Sequence, residues 1–376
     1  MKKIAFSFFA SLLLFSGAFA QRSVVVTNTS GFDRKAEMVE LKPCGLRLCF
    51  KKKTYILKNE NNLEIPYQVV YNGKKKPQVV IFQANVKANG SATYTFTEGK
   101  PAIVKPKTAA RFVPERKDDF AWENDIAAYR MYGPALAKEN PSNGVDFWVK
   151  RTDEVFMDKM YKDELQNKLS YHTDRGQGMD CYKVGHTLGC GGIAPYVSDS
   201  LWVGNHFDSY KVLEVGPLRS TFTLTYDSVK VGNVYYKQVI TITTTAGSML
   251  NKAVVKFSGP KQKMELAAGI FLHDGKGNLQ LNDANGTAAY AEEAISEFKE
   301  PSGRNYVGVF IPSKVNASRK KGEHALIMSN YTVGKSFTYY FGGGWNKWIY
   351  PTDEDWFTAI NQFSDNLKNP LKIKIK

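Results

Sequence analysis

Tyr235 to Thr245 is a run of eleven residues built from Val, Ile, Thr and Tyr, interrupted only by Lys237 and Gln238. β-Branched and aromatic side chains fit a pleated surface, and a strand of that length suits a large sheet rather than a small barrel. Shorter runs of the same kind recur at Val212 to Glu214, Ser220 to Tyr226, Leu250 to Phe257, Glu265 to Leu272, Tyr306 to Ile311 and Phe337 to Phe341. The second part of the chain is therefore expected to be one large β-structure.

Earlier residues read as smaller strands: Val24 to Thr27, Glu37 to Leu41, Glu64 to Tyr71, Gln78 to Phe82 and Ala92 to Phe96. Asn72-Gly73 and Asn89-Gly90 supply turns between them, the pattern of a small sandwich. The stretch from Gly99 to Lys107 has two prolines, three lysines after Gly99 and little periodicity, so it reads as a linker. The expected organisation is a β-sandwich over 21–105 and a larger β-domain over 106–376, in keeping with the length of 376 residues. One helix is expected. Thr352 caps a segment from Asp353 to Leu367, acids fill its first turn, and Trp356, Ile360, Phe363 and Leu367 share one face. Residues 140–206 are rich in Gly, Asp, His and Tyr and show little strand pattern, which is long for a plain connection.

Lys2 and Lys3 precede an apolar run from Ile4 to Phe15 that ends in Ala18-Phe19-Ala20, the form of a cleaved secretory leader over 1–20. Gln21, not Cys, follows, so a free periplasmic or secreted protein is expected, with no membrane span. The formal charge is +15, of which the leader carries two units. In an exported protein that excess favours an acidic polysaccharide or oligosaccharide as partner over nucleic acid. An oxidising compartment allows disulfides among Cys44, Cys49, Cys181 and Cys190. Gly45 offers a turn for a Cys44–Cys49 bridge, and reduced, buried cysteines are the alternative.

No HExxH, GxSxG or GxGxxG motif is present, and Gly334-Lys335-Ser336 lacks the upstream glycine of a phosphate loop because position 329 is Ser. No cofactor and no metal is expected. Asp274 to Asn278 reads as a hairpin turn, not a calcium loop. Polar residues gather in two places. In the first, Arg116, Trp122, Glu123, Asp125 and Arg130 interleave charge with rings, a composition suited to carboxylates and sugar faces, or to a rim of ion pairs. In the second, Tyr171, His172, Asp174, Arg175, Asp180, Lys183 and His186 share a glycine-rich stretch. Histidine beside a carboxylate suits proton transfer at neutral pH; a glycine-laden turn is the plain alternative. His273 sits where a strand meets a turn, and Trp345 and Trp348 beside three glycines form either a sugar-stacking platform or an apolar lid.

The strings ERKDDFAWENDIAAYRMYGP (Glu115 to Pro134), SNGVDFWVKR (Ser142 to Arg151), YHTDRGQGMDCYKVGHTLGCGG (Tyr171 to Gly192) and EVGPLRSTF (Glu214 to Phe222) resemble an uncharacterised exported family of polysaccharide-degrading Gram-negative bacteria, a domain of unknown function. More distantly the chain resembles galactose-mutarotase-like β-supersandwich proteins. That resemblance implies an all-β fold with a small N-terminal sandwich, a supersandwich and one C-terminal helix. It also implies a concave sheet holding a sugar between a histidine and a carboxylate.

The function expected is an exported carbohydrate-active protein acting on uronate-containing glycans as a lyase. Alternatives are a hydrolase with paired carboxylates and a non-catalytic glycan binder. His186, Tyr171, Lys183, Asp174 and His273 are the expected catalytic set, with His186 ranked first among the histidines. Arg116, Trp122, Glu123, Asp125, Arg130, His172, Arg175, Asp180, Trp345 and Trp348 are the expected substrate contacts.

Overall fold

The computed structural model describes residues 21–139, 141–296 and 299–376; the expected leader lies outside the described residues. Strand Val234–Thr245 forms as its alternation predicts, with Tyr236, Gln238, Ile240 and Ile242 turned inward and Lys237, Val239, Thr241 and Thr243 outward. It pairs with the thirteen-residue strand Arg219–Val231, placing Thr223 opposite Thr241. These two are neighbours in an eight-stranded antiparallel sheet whose order is Ser209–Glu214, Arg219–Val231, Val234–Thr245, Asn251–Ser258, Phe337–Trp345, Pro301–Phe310, Thr287–Ile295 and Asn278–Asn282.

The inner face of that sheet packs on two five-stranded sheets. One runs Ser200–Leu201, Cys190–Val197, Lys263–Phe271, His324–Thr332 and Ala317–Lys321; the other, the site sheet, runs Gly178–Asp180, Asp146–Lys150, Ala127–Met131, Asp119–Glu123 and Ala109–Val113. Phe222, Ile242, Val255, Val309 and Phe341 from the large sheet share one core with Phe120, Trp122, Tyr129 and Phe147 from the site sheet and with Ile193 and Ile270. Each fully buried large side chain contributes roughly 1.5–3 kcal/mol by leaving water, so this core dominates stability. Gly191, at φ 123°, allows the sheets to approach: a Cβ there would fall 2.4 Å from that of Phe341.

The first strands form a sandwich of a four-stranded and a three-stranded sheet around Val24, Val26, Leu57, Phe82, Tyr94 and Phe96. The last strand, Lys372–Ile375, returns to this sandwich and pairs with Arg22–Thr27. Polar contacts tie the sandwich to the larger part. Gln68 Oε1 accepts from Leu218 N at 2.9 Å and Arg219 N at 2.8 Å, and the Glu214 carboxylate accepts from Tyr71 N and Asn72 N.

There are three α-helices among the described residues: α1 (Pro43–Leu46), α2 (Met157–Asn167) and α3 (Asp353–Lys368). Helix α3 is the expected one, and Thr352 and Asp355 cap each other's backbone N–H at its start. It buries Trp356, Phe357 and Ile360, while Leu367 stays exposed. The all-β class, the small sandwich and the C-terminal helix agree with the sequence. Residues 140–206 do not form one irregular stretch. They hold two full strands, Asp146–Lys150 and Cys190–Val197, and α2, and each of those strands is too fully buried to alternate. All four cysteines are free, Cys44 and Cys49 exposed and Cys181 and Cys190 buried, so the expected Cys44–Cys49 bridge is not formed.

Candidate functional site

The site sheet has two unlike faces. Phe120, Trp122, Tyr129, Phe147 and Val149 point to the main core, and the residues between them point the other way. That outer face carries Asp119, Ala121, Glu123, Arg130, Asp146, Trp148, Lys150 and Asp180, with Arg130 paired opposite Asp146 and Trp148 opposite Asp180. Helix α2 and Tyr171 cover it, making a small apolar layer with Val113, Ala121, Ala128, Trp148, Met160 and Tyr161. Gly178, at φ 131°, lets the edge strand Gly178–Asp180 pair closely with Asp146–Lys150, because a Cβ would meet Val149 O at 2.0 Å.

Arg130 is the hub. Its guanidinium lies 2.6 Å from Asp146 Oδ2, 2.8 Å from Asp180 Oδ2 and 3.7 Å from Asp119 Oδ2. Trp148, Tyr132 and Tyr171 place their rings around the same cation at 5.1, 5.1 and 5.6 Å. The Tyr171 hydroxyl accepts from Arg116 Nε at 3.1 Å and Arg130 Nη1 at 3.4 Å. His172 closes the rim with Nδ1 at 2.9 Å from the Asp180 carbonyl oxygen. Three carboxylates thus face two guanidinium groups in a nearly dry setting. Burial, reinforced by Asp146, pushes Asp180 up to about 7, and burial pushes Asp119 up to about 6.

Among the described residues, five polar atoms here are buried without a hydrogen-bond partner: Arg116 Nη1, Asp119 Oδ2, Arg130 Nε, Asp146 Oδ1 and Tyr161 Oη. Buried polar groups are nearly always paired, so this many unpaired atoms on one face set the cluster apart from the apolar core; two of them, Asp119 Oδ2 and Arg130 Nε, face each other at 3.7 Å.

A second cluster follows directly along the chain. His273, at φ 39°, sets Nε2 at 2.9 Å from the Lys183 carbonyl oxygen and Nδ1 at 2.7 Å from Glu292 Oε1, with its ring edge-on to Tyr182. Burial raises Glu292. The segment Asp180 to Lys183 therefore touches both clusters.

The expected site residues separate accordingly. Arg116, Arg130, Tyr171, His172 and Asp180 come together, and Lys183 meets His273 through its backbone. His186 does not join them: it is exposed on a turn and makes no hydrogen bond or ion pair among the described residues. Asp174 pairs with Arg151 and holds the turn N–H groups of Gly176 and Gly178. Arg175 donates to Ser170 O and Asp163, bracing that turn against α2.

Four expected contacts have structural roles instead. Glu123 is buried, pairs with Lys150 at 2.7 Å and accepts from Phe156 N and Met157 N, so it caps α2. Asp125 accepts from Gly247 N at 2.7 Å. Trp122 and Trp345 lie in the core with their indole N–H groups bonded to Asn251 and Ser302, so neither offers a face to a sugar; Trp348 alone of that pair of loop indoles is exposed. Asp119, Tyr132, Asp146 and Tyr161 were not expected at the site. Their signal is the two-residue spacing Asp119/Ala121/Glu123, Ala128/Arg130/Tyr132 and Asp146/Trp148/Lys150, legible once those short runs are taken as strands.

Among known proteins, the chain is 29% identical over 313 residues to the uncharacterized protein P7 of Formosa agariphila, covering 79% of this chain and 78% of that protein. It is similar in fold to an alpha-mannosidase of Enterococcus faecalis, with a TM-score of 0.51 and 8% identity over 95% of this chain. A glycosyl hydrolase family 38 protein of the same organism gives a TM-score of 0.52 at 9% identity, also over 95% of this chain. The chain spans about half the length of those solved proteins, 46% and 47%, and the likeness is one of fold. A galactose-mutarotase-like similarity is not what these comparisons show. The model of the family described as a domain of unknown function (DUF4861) matches residues 26–373, and the chain belongs to that family.

Proposed function

We propose that this protein is an exported carbohydrate-active protein that acts on uronate-containing glycans, by β-elimination, at the Arg116–Tyr171–His172 rim of the buried cluster. The observation that carries the reading is Arg116. Its Nη1 has no hydrogen-bond partner among the described residues while its Nε donates to the Tyr171 hydroxyl, which leaves one guanidinium nitrogen to pair with a uronate carboxylate once the rim opens to a sugar. In the elimination a base takes the C5 proton, the electron pair left behind forms the C4–C5 double bond, and the C4–O bond breaks toward the leaving oxygen, which takes up a proton. Arg116 balances the charge of the uronate carboxylate as C5 loses its proton. Tyr171 is placed to move a proton, because charge left on its oxygen meets two guanidinium donors. His172 stands beside it, with Asp180 behind. The overall +15 charge favours acidic substrates, and the solved proteins of similar fold are named as an alpha-mannosidase and a protein in glycosyl hydrolase family 38.

A second reading, hydrolysis, is favoured by Asp119 and Asp180, whose raised values would let one hold a proton near neutrality. One assay separates the two. Purified protein is offered polygalacturonate and glucuronate oligosaccharides: growth of ultraviolet absorbance supports elimination, and reducing ends without absorbance support hydrolysis. Binding with neither product would make the protein a glycan binder and end both enzymatic readings.

A further inference from the structure

The outer face of the eight-stranded sheet is unequally covered. Helix α3 lies over one half, with Trp356 stacked on Tyr306 and Phe363 packed between Phe310 and Tyr340. The other half, formed by the four strands from Ser209–Glu214 to Asn251–Ser258, has outward residues that are half-buried or exposed, apart from the buried Thr221 at the end nearest the small sandwich. The register sets Lys211 opposite Thr223, Thr223 opposite Thr241, and Thr241 opposite Val254, with Thr225 and Val239 in the next row. The rows mix threonine hydroxyls with Val239 and Val254, and amines stand around them.

The charges on this field that lack a partner among the described residues are of one sign. Glu214 is occupied by the backbone N–H groups of Tyr71 and Asn72, Glu40 by Arg219, and Asp227 by Lys237. Lys211, Lys252 and Lys256 have no ion-pair partner among the described residues. Lys252 and Lys256 lie roughly 13 Å apart along one strand, and Lys211 about 14 Å across from that strand. We propose that Lys211, Lys252 and Lys256, set around Thr223, Thr225 and Thr241, bind an acidic polysaccharide and hold it to the protein apart from the reaction cluster. A polymer with a carboxylate on each sugar meets three such amines in several registers, and the threonine hydroxyls match its own hydroxyls as donors and acceptors. The choice of a glycan as the polyanion rests on the function proposed above; the surface itself does not.

The test uses the full mature chain and the triple variant Lys211→Glu, Lys252→Glu, Lys256→Glu. Affinity for polygalacturonate is measured at about 50 and about 300 mM salt, where screening differs strongly. The variant is expected to bind at least roughly tenfold more weakly at low salt, to lose most of the salt dependence, and to melt as the native chain does. Turnover of a short uronate oligosaccharide is expected to stay unchanged in it, and polymer binding is expected to persist in Arg116→Ala. Because polymer binding is read separately from turnover, absence of turnover in the native chain would end the reaction proposal without touching this one. Unchanged polymer affinity in the triple variant would overturn the surface, and so would equally tight binding of duplex DNA by the native chain, which would make it a general polyanion face.

Discussion

Arg130 shows how much a single buried cation can organise. Three carboxylates and three rings converge on it, and no lysine could serve them all, since an ammonium has one nitrogen where the guanidinium sets Nη2 against Asp146 and Asp180, Nη1 against Tyr171 and Nε toward Asp119 while its faces meet rings. Replacing it by Met strands the acids in a dry setting. Arg130→Met is expected to cost about 3–5 kcal/mol in chemical denaturation, the scale for a broken buried pair, and a loss under half of that would show that water already reaches the cluster. Asp180 gives a second, independent reading of the same environment. Unfolded it ionises near 3.8, and folded near 7, so its contribution to stability is full at low pH and is lost as pH rises toward about 7. Asn copies the neutral acid and does not titrate. The melting temperature of Asp180→Asn minus that of the native chain is therefore expected to climb between pH 5 and pH 8, and a constant difference would contradict the raised value. His206, pushed down to about 4 by burial, acts with the opposite sign but is common to both proteins and cancels in the difference.

Among elements, the two longer helices differ in how they are anchored, and that difference decided which could be read from the sequence. Helix α3 carries its own start signal, since Thr352 and Asp355 lie three apart and bond reciprocally. Thr352→Ala is expected to lower stability by about 1 kcal/mol, measured by thermal unfolding. Helix α2 has Phe156 at its cap position and no local side-chain cap; the carboxylate that satisfies its first N–H groups comes from Glu123, more than thirty residues earlier. No window along the chain reveals such a partner. Glu123→Gln keeps the shape but removes the charge facing buried Lys150, and it is expected to cost about 3 kcal/mol and to speed hydrogen exchange at Phe156 and Met157, while glycan affinity stays unchanged. Reduced affinity without loss of protection would return Glu123 to the binding surface. The long strands were legible because one face alternates with the other; Asp119–Glu123, Ala127–Met131 and Asp146–Lys150 were not, because both faces are buried and the polar residues of one face look like scattered charge. The make-up of the buried cluster, the candidate site, was accordingly half legible. Its residue types stood out in Arg116, Arg130, Tyr171, His172 and Asp180, but the partner acids Asp119 and Asp146 depend on a register that only the folded sheet fixes. His186 shows the converse, since it is near Asp180 along the chain but not in the cluster: Asp180 turns inward while His186 is exposed.

For the whole molecule, the return of the chain's last strand to its first sheet joins the ends of the fold. Lys372–Ile375 lies on the outer side of Arg22–Thr27, whose other neighbour is Ser91–Glu98, and Leu371 and Ile375 pack against the sandwich core. The sandwich is small, and small cores have little stability to spare. A chain ending at Asn369 loses that strand, exposes the backbone of Val24 to Thr27 as a new edge and uncovers part of the core. The larger part keeps its eight-stranded sheet, its two five-stranded sheets and α3 intact, so the loss is expected to be local. Hydrogen exchange should rise across Arg22–Thr27 and spread to Ser91–Glu98, with Phe222, Ile242 and Phe341 as well protected as before. Limited proteolysis should then cut first within residues 21–98. Unchanged exchange at Val24 to Val26 would mean that the sandwich closes without its last strand, and a uniform rise over both parts would mean that the contacts of Gln68 and Glu214 make the whole chain unfold as one unit.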